Sequence, residues 1–139
     1  AAMDPLPLHN PPDLAAAKNN LAFWLAEKGT DLDRALDLAQ EAKAELSKNA
    51  RTNPSSADTL GWVLYKRGRH TDAIPFLQKA FAKAPQAQEL RYHLGMAQLK
   101  AGDHGAARAS LEAAVQGEAR YPGLEEARSA LAGLKKAAS

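Results

Sequence analysis

Shifted along itself by 34 residues, the sequence meets its own residue types at helical spacing. Leu60 and Gly61 fall on Leu94 and Gly95, Lys66 on Lys100, Gly68 on Gly102 and His70 on His104. Ala73, Leu77 and Ala80 fall on Ala107, Leu111 and Ala114. A fixed period of this length marks stacked repeat units. A looser copy precedes them: Leu21 and Gly29 lie 39 residues ahead of Leu60 and Gly68, whereas Ala35 and Ala42 lie 38 ahead of Ala73 and Ala80. The first copy therefore carries one extra residue in its internal turn, and about four more follow in "ELSKNARTN".

Two glycines in "DTLGWVLYKRGRHTDAI" have different tasks. Gly68 follows an apolar run and is placed to end a helix and open a tight turn, as is Gly102. Gly61 sits inside the run, where glycine costs about 1 kcal/mol relative to alanine. It lies beside Leu60 and before Leu64, on the face turned to a second helix that offers Ala73, Leu77 and Ala80. Small residues on both sides let two antiparallel helices approach closely, and the packing gained offsets the glycine. Ala22 stands at the same place in the first copy.

These residues resemble the tetratricopeptide repeat (TPR). The resemblance rests on Leu60, Gly61, Leu64, Gly68, Ala73, Leu77, Ala80 and Pro85, and in the next copy on Leu94, Gly95, Gly102, Ala107, Leu111 and Ala114. That copy departs from the pattern at Gln98, where a large apolar residue is usual, and at Ala119, where the terminal proline belongs. The resemblance implies an all-α fold: a right-handed α-solenoid of three helix pairs plus a C-terminal capping helix. The expected organisation is a tail over 1–12, repeats over 13–50, 54–87 and 88–119, and a cap over 122–137.

Within it, a first helix begins at "NPPDL" with Asn10 as cap and ends near Lys28. A second starts after Asp31 and ends by Asn49, and a third runs from "NPSSAD" to Arg67. The fourth to sixth cover His70–Ala84, with Pro75 in its first turns, then Gln86–Ala101 and His104–Gly117. The seventh carries Leu124, Ala127, Leu131 and Leu134 on one stripe, the pattern of a solubilising end cap.

By resemblance, the first helix of each pair lines a concave face. Helical spacing then places Asn19, Phe23, Ala26 and Glu27 inward in the first repeat, Asp58, Trp62, Tyr65 and Lys66 in the second, and Tyr92, Met96, Leu99 and Lys100 in the third. Such a face, aromatic and apolar with polar residues along it, suits an extended or helical peptide. Mutual packing of these residues, or occupation by the tail or the seventh helix, is the alternative. Asn19 and Lys100 occur in the family's carboxylate-gripping mode, but Asp58 and Tyr92 interrupt that pattern, so no carboxylate clamp is expected. The expected partner is a protein or peptide, bound by a scaffold within a larger bacterial assembly, secretion or exopolysaccharide system. The alternative is the structural end of a longer solenoid, or a homo-oligomer that binds no separate ligand.

Other classes find little support. The net charge of +2 is too slight to argue for nucleic acid. No apolar stretch approaches the roughly 18 residues of a membrane span, so no direct membrane insertion is expected. There is no cysteine, hence no thiol nucleophile or Cys-type zinc site. His9, His70, His93 and His104 are read as lacking the His–His or Glu–His spacing of a metal site, and His93 as a lone histidine on a helix. Neither an enzyme nor a cofactor is expected, and no metal. The start "AAMDP" reads as a cloning remnant ahead of an excised piece of a longer protein, whose compartment, cytoplasm or envelope, stays open.

Overall fold

The computed structural model describes residues 11–46 and 54–138. Asn10, most of the expected tail and the segment after Leu46 lie outside the described residues. Seven helices follow one another among those described: α1 (Pro11–Lys28), α2 (Leu32–Leu46), α3 (Pro54–Lys66), α4 (His70–Lys83), α5 (Gln88–Lys100), α6 (His104–Ala114) and α7 (Leu124–Ala138). α1 pairs with α2, α3 with α4 and α5 with α6, and the pairs stack through α2 on α3 and α4 on α5. The first helices α1, α3 and α5 also touch in sequence, and α7 rests on α5 and α6, where a further first helix would stand.

The turn inside each pair is built the same way. The N–H of Gly68 donates to Tyr65 C=O and that of Arg69 to Leu64 C=O; Gly102 and Asp103 repeat this with Leu99 and Gln98, and Gly29 and Thr30 with Ala26 and Leu25. This double closure needs a left-handed residue, and Gly29, Gly68 and Gly102 supply φ of +69°, +86° and +92°. The extra residue of the first copy is absorbed directly after this motif, where Asp31 also takes a positive φ of 51°.

Close approach explains Gly61. A Cβ built there would stand 2.7 Å from Leu77 Cγ and Cδ2, and one on Gly95 would stand 2.8 Å from Leu111 Cγ. Leu77 and Leu111 are fully buried, as are Ala73, Ala80, Ala107 and Ala114 on the same seams. The second helices thus present an alanine–leucine stripe to the glycine of the first, twice at one period.

Some boundaries differ from the sequence reading. α5 starts at Gln88 rather than Gln86, because Ala84 and Ala87 close a turn around Pro85 (Ala87 N–H to Ala84 C=O) and Ala87 becomes the N-cap. α6 ends at Ala114, before Gly117 turns the chain with φ +64°. Pro75 sits inside α4 without interrupting it. On α7, Ala127 and Leu131 are buried and Leu134 packs half-buried against the core.

Candidate functional site

The face formed by α1, α3 and α5 is concave, since Phe23 of α1 and His93 of α5 meet at 5.9 Å between ring centroids although α3 lies between their helices. Trp62 is at the centre. Its ring stacks on Tyr65 at 4.5 Å and on His93 at 4.0 Å, and Tyr92 tilts against it at 5.5 Å. The Trp62 Nε1–H donates to Glu27 Oε1 at 2.5 Å, tying α3 to α1, and Lys66 Nζ lies 5.2 Å from the centre of the indole.

The inward residues expected from spacing are therefore brought together, but they mostly cover one another. Trp62 has 0% exposure, Tyr92 3%, Met96 5% and Tyr65 8%. Ala26 is buried, Leu99 half-buried, and only Glu27 and Lys100 are freely exposed. The segment leading into α7 closes the C-terminal end: Tyr121 packs on Tyr92 at 5.8 Å, and Gly123 lies against the Tyr92 ring. Gly123 is needed there, since a Cβ would stand 2.5 Å from Tyr92 Cε2. Burial, seconded by the Glu126 charge, pushes the Tyr65 phenol up to about 12 and the Tyr92 phenol well above its ordinary range. Both remain neutral phenols.

The face opens at its other end. A cleft of about 370 Å³ is walled by Asn19 and Phe23 of α1, Ser55 and Asp58 of α3, and Glu89 and Leu90 of α5. Asn19 Nδ2 donates to Ser55 Oγ at 3.0 Å. The Nδ1–H of His93, buried under Trp62, donates to Asp58 Oδ1 at 2.7 Å, because an ionised carboxylate can only accept. Glu89 Oε2 stands 3.8 Å from the opposite ring nitrogen. Burial, together with the charges of Asp58 and Glu27, holds the Glu89 carboxyl above its usual range, and His93 opposes them.

The sequence reading passed over Ser55, Glu89, Leu90 and His93 as site residues. Its description of His93 as lacking a Glu partner is corrected: Glu89 stands four residues before it on α5, and Asp58 meets it from α3. The i, i+4 spacing was legible, but the contact with Asp58 requires the packing of α3 on α5. Among the described residues no three His, Asp or Glu side chains are placed to hold a metal ion. No described helix is long and apolar enough to cross a membrane.

Glu89 gives a pH-dependent expectation. A carboxyl whose pKa is higher in the folded chain favours folding at low pH, and that contribution is lost as pH rises through the raised value. Glu89→Gln is therefore expected to raise the melting temperature at pH 7. The gain should vanish below about pH 4, where the acid is protonated in both states. Melts of both proteins at the two pH values measure it, and a wild type that is the more stable at pH 7 would contradict it.

Known proteins match this arrangement. The family model described as tetratricopeptide repeat covers residues 59–125. Over those residues the chain is similar to the tetratricopeptide repeat. A TPR repeat-containing protein of Pseudomonas aeruginosa is 34% identical over 84 residues, which are 60% of this chain and 13% of that protein. The chain thus spans about an eighth of the length of this TPR relative. The crystal structure of the Sgt2 TPR domain from Aspergillus fumigatus superposes with a TM-score of 0.69 at 23% identity, covering 97% of this chain and 82% of that one. That likeness speaks for the fold. TPR domains in general mediate contacts between proteins.

Proposed function

We propose that this TPR segment binds a peptide or protein segment at the open end of its concave face, with Phe23, Asp58 and Glu89 at the contact. The observation that carries this reading is the cleft itself. It is the stretch of the first-helix face where an aromatic ring, carboxylates and an amide surround an opening, while Trp62, Tyr65 and Tyr92 are consumed by packing. The residues nearer the C-terminus, Met96, Leu99 and Lys100, contribute to shape more than to contact. A bacterial assembly, secretion or exopolysaccharide system is the setting that the TPR resemblance suggests, and the Pseudomonas relative is itself a bacterial protein.

Selection from a random peptide library tests the reading. Peptides enriched on the wild type are expected to lose binding to Phe23→Glu by about tenfold or more, the scale of a lost interface anchor. Circular dichroism confirms that the variant is folded. A library that yields no binders, or binders indifferent to Phe23, would remove the cleft from consideration.

A second reading, the capped end of a longer solenoid, is favoured by a different surface. Leu21 and Trp24 are 39% and 53% exposed, yet their counterparts are covered in the repeats that have a pair stacked ahead of them: Leu60 at 5% and Val63 at 0%, Leu94 at 6% and Ala97 at 0%. A second helix of the same kind, placed ahead of α1, would cover Leu21 and Trp24 in turn. Fusing a copy of residues 54–87 ahead of α1 is expected to shield Trp24 from acrylamide. Trp24 left as accessible as before would argue against this reading. Shielding in the unfused chain that grows with protein concentration would point instead to a homo-oligomer.

A further inference from the structure

The charge pattern of the cleft narrows what it accepts. We infer that it receives the guanidinium of an arginine in the bound segment, an inference that rests on the cleft reading above. Three features converge. Asp58 and Glu89 face it from α3 and α5, and no lysine or arginine is among the described residues that line it. Among the described residues, basic side chains of the same helices are engaged elsewhere: Lys66 lies over Trp62, Arg91 over Phe81 at 4.4 Å, and Lys18 lies 3.9 Å from Glu41 of α2. Among the described residues, His93 stands beside Asp58 and Glu89, and its Nδ1 is spent on Asp58 Oδ1, leaving lone pairs on Oδ2.

The second feature is independent of charge. Asn19 lines the cleft at 5% exposure, and its Oδ1 is a buried acceptor with no donor. Its Nδ2 is already committed to Ser55. A buried acceptor without a donor carries an unrecovered desolvation cost, which a ligand N–H removes. The third feature is Phe23, whose ring adds a face on which a planar cation can lie. The acceptors come from three helices, so a forked group with five N–H donors fits them better than the point charge of an ammonium.

The test uses three blocked tripeptides, Ala-Arg-Ala, its citrulline analogue and Ala-Glu-Ala, titrated into the folded chain and followed by NMR at the Asn19 side-chain amide and the His93 ring. Citrulline keeps the shape of arginine without its charge. The arginine peptide is expected to shift both signals saturably by about 10 mM, where a millimolar site is mostly filled. Glu89→Gln is expected to weaken it about tenfold, the worth of one hydrogen bond to a charged group. Equal shifts with citrulline, undiminished binding to Glu89→Gln, or no shift with arginine would overturn the inference. Library peptides that depend on Phe23 but contain no arginine would also overturn it and leave the cleft reading standing. A library with no Phe23-dependent binders would remove both.

Discussion

Trp62→Ala is expected to lower the melting temperature by roughly 10–20 °C, as a change in folding rather than in binding. The indole has no exposed surface and stacks on Tyr65 and His93. Truncating a buried tryptophan costs about 3–5 kcal/mol, because the transfer energy is lost and a cavity is left. The lost bond to Glu27 adds to this, since that bond holds α1 on α3. Trp24→Ala is the matched control: Trp24 is 53% exposed, so its removal should change stability by no more than about 0.5 kcal/mol. Thermal melts of the two variants decide the matter. If Trp62→Ala melted with the wild type, the aromatic residues of α3 and α5 would have to be an open surface, and the closed packing described above would be wrong.

Gly61→Val should cost about 1–3 kcal/mol through overpacking, although valine is a better helix former than glycine. The new Cβ would stand 2.7 Å from Leu77 Cγ and 3.2 Å from the Ala73 carbonyl oxygen. Leu77 is 1% exposed and cannot swing into solvent. Gly133 on α7 supplies the contrast: nothing lies within 4 Å of a Cβ built there. Gly133→Ala should therefore stabilise by about 0.5–1 kcal/mol, the ordinary gain on replacing a helical glycine. Urea melts that showed Gly61→Val as stable as the wild type would mean that α3 and α4 do not need their close approach.

The Glu89–His93 pair shows where reading along the chain falls short. Its spacing on α5 was visible, but spacing alone says only that two side chains share a helix face. Its chemistry depends on Asp58, which is 35 residues away and joins His93 at 2.7 Å only because α3 and α5 stand side by side. Asn19 is similar. Its place on the inner face followed from the period of its helix, whereas its unfilled Oδ1 depends on where Ser55 of α3 comes to rest.

The repeat, the helix pairs, the turn glycines and the glycine seam were determined by the sequence alone. They depend on contacts three or four residues apart, or on one period repeated down the chain, and both are written in linear order. The openness of the face was decided by tertiary structure. Helical periodicity places Phe23, Trp62 and Tyr92 on the same side of successive helices, but it does not state how sharply those helices curve together. Here the curvature brings Phe23 to His93 across Trp62. It closes the aromatic part of the face on itself and leaves the cleft beside Asn19, Asp58 and Glu89.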